Sequence, residues 1–233
     1  MNSLLDEPKV ASVLSDLHAL SDRQSTSLRL LALARRLGDR LGLPVDLDRP
    51  AIRRMLADKL VALDRDKGRL CYLLCRAVNA RIALEVGTSF GVSTIYLAAA
   101  VRENGLAGSV PGMVIGTEWE PAKAASAREN LDRAGLAAVT DIREGDIRET
   151  LRDVGAPVDF VLMDVWAPLA RPALDLLIPQ LRRGALVLCD NVERFRRDYR
   201  DYLDRVRDPG GGFRSTTLPY DGGFELSVWL DGE

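Results

Sequence analysis

Histidine, cysteine and lysine are scarce in this chain of 233 residues, and each scarcity excludes a class of site. The single histidine, His18, argues against a zinc site built from several histidines and against a Ser-His-Asp triad. Three cysteines are too few, and odd in number, for a secreted disulfide scaffold. Cys71 and Cys75 stand four apart in an apolar helical pattern, which predicts core residues. Any metal in this protein must therefore be held by oxygen.

The sequence also lacks an excess of positive charge and a long hydrophobic run. Its net charge of −2 and pI of about 5.6 provide no basic face for a nucleic-acid backbone, so we expect no nucleic-acid partner. No apolar run approaches the ~18 residues of a membrane span. Residues 1–8 lack the basic and apolar start of a signal peptide, so we expect a cytoplasmic protein without membrane contact. The length suits one α/β domain with additions.

The first sixty residues show helical periodicity. Apolar residues recur at helical spacing over 10–17 and 30–41, and a third stripe runs from Asp48 to Leu63. A fourth helix is predicted over 67–79. We interpret residues 1–62 as an N-terminal helical extension that acts as a lid or a dimer contact. These helices either cover the domain or pair with a second copy, and we favour a homodimer.

Residues 63–233 alternate short apolar runs with helical patterns, which predicts β-α units and a parallel sheet covered on both faces. The predicted strands are 82–86, 113–117, 139–142, 158–163 and 185–189, and the helices between and after them are 91–103, 121–134, 147–153, 168–182 and 195–207. Two strands, 213–218 and 224–230, then follow with only a turn at 220–223 between them, which predicts an antiparallel hairpin. The fold class is therefore a Rossmann-like α/β protein with a seven-stranded, mostly parallel sheet.

A glycine turn follows the first strand and indicates a ligand site. Gly87 and Gly91 are spaced G-x-x-x-G between the strand and the next helix, where backbone N–H groups are open to a ligand. Neither the dinucleotide fingerprint nor the P-loop is present. Glu118, at the end of the second strand, either binds both hydroxyls of a ribose or caps the helix before Pro121. Glu85 is a carboxylate in a buried strand and needs a partner there.

From residue 61 to residue 230 the chain resembles the class I S-adenosylmethionine-dependent methyltransferases, and within them the metal-dependent catechol O-methyltransferase-like group. The resemblance is carried by five segments that occur in the family's order. They are Asp64-Arg65-Asp66-Lys67-Gly68, Glu85-Val86-Gly87-Thr88-Ser89-Phe90-Gly91, Glu144-Gly145-Asp146, Phe160-Val161-Leu162-Met163-Asp164 and Leu186-Val187-Leu188-Cys189-Asp190-Asn191. The resemblance covers about 170 residues.

The resemblance implies a cofactor site for S-adenosyl-L-methionine. Its methionine part would contact Leu63, Glu85, Gly87, Ser89 and Ser93, with Ser93 on the carboxylate. Glu118 would hold the ribose. The remaining predicted cofactor residues would surround the adenine or complete the site: Trp119, Gly145, Asp146, Ile147, Asp164 and Trp166. For both tryptophans, plain core packing is the alternative.

Three polar residues follow the fourth and fifth strands and predict a metal site. Asp164, Asp190 and Asn191 stand at the carboxyl edge, where open α/β sheets bind ligands. Three oxygen donors leave about three positions open on an octahedral ion, which suits Mg²⁺ or another hard divalent cation. A helix cap is the alternative for Asp190 and Asn191 alone. We predict that all three bind the metal and that Asp164 is also the catalytic residue.

One position departs from the family pattern. Close relatives carry a lysine three residues after the first metal aspartate, whereas this chain has Ala167 there and no lysine after Lys123. Three consequences are open. In the first, the metal alone acidifies the acceptor. In the second, Asp64, Glu193 or Arg194 takes the place of the lysine. In the third, the acceptor is not a catechol but an amine or a carboxylate.

We therefore predict a metal-dependent methyltransferase that moves the methyl group of S-adenosylmethionine to a hydroxyl of a small, chelating, catechol-like molecule. Two alternatives stay open. One is transfer to a carboxylate or amine, and the other is a cofactor-binding homologue that has lost methyl transfer with the lysine. A nucleic-acid methyltransferase would need an N/D-P-P-aromatic motif after the fourth strand, and an NAD enzyme would need its glycine fingerprint.

Overall fold

The computed structural model describes residues 3–40, 60, 62–106, 111–155 and 157–230. Its centre is a seven-stranded sheet in the order β3-β2-β1-β4-β5-β7-β6. Strands β1 to β5 are parallel, and β7 runs antiparallel between β5 and β6. This arrangement confirms the predicted fold. The strands are β1 (Ile82–Val86), β2 (Met113–Glu118), β3 (Thr140–Glu144), β4 (Val158–Met163), β5 (Leu181–Asp190), β6 (Phe213–Leu218) and β7 (Phe224–Trp229).

Helices precede the sheet and connect its strands. They are α1 (Pro8–Arg40), α2 (Arg65–Ala77), α3 (Val92–Leu106), α4 (Pro121–Arg133), α5 (Ile147–Thr150), α6 (Ala167–Leu177) and α7 (Arg200–Arg207), with short 3₁₀ turns at Leu4–Asp6, Ala137–Val139 and Ile178–Gln180. In the described part of the chain, no helix combines the length and the apolar character that crossing a membrane requires.

Both faces of the sheet are buried, because alternate residues of each central strand enter opposite cores. In β4, Phe160 and Leu162 join a core that also holds residues of α1, α2 and α3. Val161 and Met163 point the other way, into a core shared with α6 and α7. The apolar character of β1 and β4, broken in each strand by one acid, Glu85 or Asp159, follows from this double burial. Cys71 and Cys75 are buried in the first core, as predicted.

The N-terminal region differs from the prediction. The patterns at 10–17 and 30–41 belong to one helix, α1, rather than two. The polar stretch between them, 21–27, contains no glycine or proline, so nothing interrupts the backbone hydrogen bonds. The predicted helix from Asp48 to Leu63 falls mostly on residues 41–59, outside the described residues. At its predicted end, Leu60 and Leu63 are buried but not helical.

Several boundaries in the second half of the chain also differ. The predicted helix 168–182 ends at Leu177, because Pro179 forms a short 3₁₀ turn and β5 already begins at Leu181. The predicted helix 147–153 ends at Thr150, and Asp153 then forms a turn by accepting the Gly155 N–H. Helix α7 begins at residue 200 rather than 195, since turns over 191–199 lead the chain away from β5.

The strand order locates the ligand edge. From β1 the chain proceeds through β2 to β3 on one side, and from β4 through β5 on the other. The order therefore reverses between β1 and β4, and ligands of open α/β sheets bind outside the carboxyl ends at such a point. Residues 87–91 and 164–167 follow these two strands.

Candidate active site

The turn after β1 is held tightly between β2 and β4. The N–H groups of Gly87 and Thr88 both donate to the Thr117 carbonyl, at 3.1 and 2.9 Å, and the Asp164 N–H donates to the Val86 carbonyl at 3.0 Å. Gly87 has φ +94°, and a Cβ there would lie 2.1 Å from the Asp164 carbonyl oxygen. Only glycine fits this crossing. The turn brings the ends of β1 and β4 into direct contact.

A buried carboxylate lies beneath this turn. Glu85 is fully buried, and its Oε2 accepts a hydrogen bond from the Thr94 hydroxyl. Among the described residues, neither its Oε1 nor the Thr88 hydroxyl oxygen has a partner in hydrogen-bond geometry. Burial raises the pKa of Glu85 from an ordinary value of 4.5 to about 7, while the nearby hydroxyls of Ser93, Thr94 and Thr88 oppose the rise. An unsatisfied buried acceptor calls for a donor, and a cationic amine provides one.

One cavity joins the glycine turn to the end of β4. Among its lining residues are five of the predicted site residues: Leu63, Gly87, Ser89, Ser93 and Asp164. Sequence reasoning missed the others, which are Leu60, Ala62, Thr88, Phe90 and Val92. Thr88 and Phe90 lie within the G-x-x-x-G segment, and that segment was the sequence signal available for them. The cavity brings the predicted methionine end of the cofactor and the first predicted metal ligand to one place.

The carboxyl ends of β2 and β3 continue the same edge. Glu118 accepts the Ser89 N–H on Oε2 at 2.7 Å and the Glu120 N–H on Oε1 at 2.8 Å. Its own carbonyl accepts the Gly145 N–H at 2.9 Å. A carboxylate has about four acceptor positions, so each Glu118 oxygen retains one for a ligand hydroxyl. The capping alternative is excluded, because Glu118 lies before the helix cap, which is Glu120.

The predicted adenine residues lie at this end of the sheet. Asp146 caps α5 by accepting the Arg148 N–H at 2.8 Å, and Ile147 begins that helix. Trp119 is 65% exposed and Trp166 is 36% exposed, so core packing does not account for either side chain. Exposed indole rings near a ligand edge are free to stack on a flat ring. Their contact with adenine stays a prediction.

Asp164, Asp190 and Asn191 lie at the ends of the paired strands β4 and β5, where Met163 is opposite Cys189. Asn191 has φ +62°; its N–H donates to Asp190 Oδ1 at 2.7 Å and its Nδ2 to Oδ2 at 2.9 Å. Burial raises the pKa of Asp164 well above its usual range, and the nearby Asp190 and Glu85 carboxylates raise it further. Burial also raises the pKa of Asp190, against the opposing charge of Lys67. Two carboxylates in this position favour a cation beside them.

A lysine that sequence reasoning left without a role contacts this set. The Lys67 ammonium is buried and forms an ion pair with Asp190 Oδ1; it also donates to the Asp221 carbonyl at 2.6 Å. A signal for its burial was available. Lys67 precedes Cys71 and Cys75 by four and eight residues, so it shares the apolar face of α2.

The donor set fits a hard divalent ion. Within the described residues no three His, Cys, Asp or Glu side chains cluster as a metal site would require, so the candidate set consists of two carboxylates and one amide. These are oxygen donors of the kind that Mg²⁺ takes with several waters or substrate oxygens, and they do not suit zinc. Asp190 Oδ1 also bonds to Lys67, which bears on how tightly an ion is held.

The three candidates for the absent lysine lie in different places. Asp64 is exposed and caps α2 by accepting the Asp66 N–H at 2.9 Å. Glu193 pairs with Arg196 at 3.3 Å. Arg194 pairs with Asp221, and its charge lowers the pKa of Asp190, so it lies close to the acidic edge formed by Asp164, Asp190 and Asn191. Ala167 begins α6.

Known proteins resemble this chain in sequence and in structure. The family described as "Methyltransferase domain" matches residues 84–192. "Catechol O-methyltransferase" from Niastella koreensis is 34% identical over 138 residues, which are 58% of this chain and 59% of that protein. The chain thus spans less than two thirds of the length of this curated relative.

Two solved structures superpose on most of the chain. The O-methyltransferase TomG from Streptomyces achromogenes, involved in tomaymycin synthesis and solved in complex with SAM, has a TM-score of 0.66 at 26% identity, covering 77% of this chain and 86% of TomG. Cofactor-bound Rv0187 from MTB has a TM-score of 0.66 at 28% identity, covering 84% of this chain and 97% of that one.

Proposed function

We propose that this chain, which belongs to the class I S-adenosylmethionine-dependent methyltransferases, transfers the cofactor's methyl group to a hydroxyl oxygen of a small molecule. The observation that carries the proposal is that the glycine turn, Ser93 and Asp164 line the same cavity. Residues suited to an amino acid and a residue suited to a metal share this cavity. The solved relative TomG, which superposes on most of the chain, is an O-methyltransferase in complex with SAM.

Each part of the cofactor has a matching group. Glu85 Oε1, unpaired and buried, takes the ammonium of the methionine part. Ser93, in the first turn of α3, takes the carboxylate, aided by the N–H groups of that turn. Glu118 holds the ribose with its remaining acceptor positions. The cofactor supplies a methyl group on a positively charged sulfur, and the protein must hold the acceptor oxygen in line with it.

The class of acceptor is inferred from the metal that Asp164, Asp190 and Asn191 would hold. We propose that Asp164, Asp190 and Asn191 hold one Mg²⁺ or another hard divalent ion. Such an ion lowers the pKa of a hydroxyl that it binds, and two neighbouring oxygens can chelate it. A catechol-like diol therefore fits better than an isolated alcohol. The name of the Niastella koreensis relative, a catechol O-methyltransferase, supports this class.

Ala167 favours a second candidate. No lysine stands in that position, so an acceptor that needs no general base, such as a carboxylate, is the alternative. The other alternative is a homologue that binds the cofactor but transfers no methyl group. The experiment that separates these is incubation with S-adenosylmethionine carrying a labelled methyl group, Mg²⁺ and a panel of diols, phenols, carboxylic acids and amines. Label in a diol supports the proposal; label only in an acid or an amine, or in none, contradicts it.

The division of the chain is also a proposal. We propose that residues 1–62 cover the catalytic domain, residues 63–233. Buried α1 residues such as Val10 and Leu14 share a core with α3, and Leu60 lines the same cavity as Leu63. The homodimer and the cytoplasmic location stay predictions. Light scattering of the purified protein tests the first, and fractionation of cells tests the second.

Glu118→Ala is expected to weaken the binding of S-adenosylmethionine by roughly 30-fold, or about 2 kcal/mol. This is the scale of hydrogen bonds from a ribose to a charged acceptor. The measurement is isothermal titration of the cofactor. Glu120→Ala is the matched control, because its exposed side chain makes no capping hydrogen bond to α4. Equal affinities in the two variants would remove Glu118 from the ribose site.

Glu85→Gln is expected to weaken cofactor binding at least ~10-fold while stabilising the ligand-free protein at neutral pH. Because the pKa of Glu85 is about 7 in the folded protein and 4.5 ordinarily, the folded state binds the proton more tightly. Stability is therefore full below pH 4.5 and is lost as the pH rises through 7. The loss is on the order of 3 kcal/mol, and glutamine avoids it.

Urea unfolding at several pH values checks the second effect. The advantage of Glu85→Gln in unfolding free energy should be smallest at pH 4.5 and largest at pH 8. Glu149→Gln, an exposed acid in α5, is the control and should show no such trend. A variant less stable than the natural protein at pH 8 would show that ionised Glu85 is already well paired without the cofactor.

A further inference from the structure

Lys67 joins three elements at the acidic edge. It lies in the first turns of α2, and its ammonium pairs with Asp190 at the end of β5. The same ammonium donates to the Asp221 carbonyl in the turn between β6 and β7, at 2.6 Å, and lies 5.5 Å from the centre of the Phe224 ring. The side chain is only 4% exposed. It therefore stays beside Asp190 instead of reaching solvent.

The Asp190 carboxylate already has an opposite charge and several hydrogen-bond donors around it. Asp190 Oδ1 accepts from the Lys67 ammonium and the Asn191 N–H, and Oδ2 accepts from the Asn191 amide. Arg194 adds a second positive charge nearby, although it pairs with Asp221. The negative charge on Asp164 and Asp190 is thus opposed before any metal arrives. A divalent ion bound there would meet a like charge at close range in a buried site, where repulsion is strong.

We propose that Lys67 acts as a resident counter-cation that lowers the affinity of the Asp164–Asp190–Asn191 site for divalent metal. The inference rests on the metal site of the proposed function. A divalent ion competes with the ammonium for Asp190, and an acceptor that brings anionic oxygens supplies the missing negative charge. The site therefore holds metal weakly without the acceptor and more tightly with it. Lys67 is a residue that tunes metal affinity, not one that touches the reacting atoms.

Titration of Mn²⁺, followed by electron paramagnetic resonance of the free ion, tests the proposal. Lys67→Met removes the charge and keeps most of the volume, and it should bind Mn²⁺ at least ten-fold more tightly than the natural protein. Lys67→Arg keeps the charge and should stay close to the natural protein. Lys9→Met, the same change at an exposed site in α1, should alter nothing. A local charge predicts this pattern, and loss of packing does not.

Equal or weaker Mn²⁺ binding by Lys67→Met overturns the proposal. Circular dichroism and cofactor affinity verify that each variant is folded; should the methionine variant not fold, Lys67→Gln replaces it with the same expectation. Asp190→Asn separates the two levels of inference. If it binds Mn²⁺ as the natural protein does, the metal site itself is wrong. If it loses binding while Lys67→Met gains none, the metal site stands and the role of Lys67 is wrong.

Discussion

Methyl transfer is expected to fall at least ~10³-fold in EDTA and equally in Asp190→Asn, because a divalent ion held there would lower the pKa of the acceptor hydroxyl and keep the attacking oxygen deprotonated. Asp190 is the most informative of the proposed metal ligands to substitute. Its two oxygens face Lys67 and Asn191, so the amide of asparagine would place a donor where donors already point. The measurement is the initial rate with saturating cofactor, with and without added Mg²⁺.

Cofactor binding supplies the internal control for that result. The Gly87 turn and Glu118 are held by hydrogen bonds to each other's strands, β1 and β2, and the hydrogen bonds described for them do not involve Asp190. We therefore expect the affinity for S-adenosylmethionine to be unchanged by EDTA or by Asp190→Asn. Asp175→Asn, which changes an exposed acid paired with Arg171 on α6, should keep full activity. Full activity in EDTA would eliminate the metal from the reaction.

The sequence was sufficient to predict the sheet because two signals identify its central strands: their apolar composition and the residues that follow them. β1 and β4 are apolar except for Glu85 and Asp159, since both faces are buried, and a glycine turn or an acid follows each strand. The start of β5 was not predictable in this way. After its first residue, Leu181, come Arg182, Arg183 and Gly184, which are polar or lack a side chain, and the pairing register with β4 shifts in this region. Only pairing with β4 extends the strand that far.

The residues of the candidate site also fall into those that the sequence predicted and those that it did not. Residues that end a strand or form its turn, such as Glu118 and Asp164, were predictable because parallel strands bring their carboxyl ends to one edge. Lys67 and Leu60 reach that edge from the segment before β1. The hydrophobic periodicity of that segment does not predict which strand end either residue contacts. Their positions result from tertiary packing. The segment around Lys67 carries part of the family resemblance, yet the contact of Lys67 with Asp190 exists only in the folded chain.

The second large effect concerns Ala167, the first residue of α6, which follows the end of β4 by four residues. On a chelating diol, Ala167→Lys is expected to raise the rate at neutral pH by roughly 10²-fold, the lower end of a general-base contribution. If the proposed metal alone acidifies the hydroxyl in the natural protein, its rate should rise towards alkaline pH. The variant's rate should level off at lower pH, because an amine then takes the proton.

The nature of the acceptor reverses this expectation. A carboxylate is already ionised at pH 7 and needs no base, so a lysine at 167 would have no proton to take. Its positive charge beside Asp164 would instead pair with the acceptor or with the metal ligands and slow the reaction. Ala167→Met is the matched control for side-chain length, and it separates a steric loss from an effect of the amine. The decisive measurement is the pH–rate profile of all three proteins on the acceptor found in the labelling panel. A flat profile around neutral pH in the natural protein, with a lower rate in Ala167→Lys than in Ala167→Met, would reject the metal-acidified hydroxyl and assign the enzyme to carboxylates.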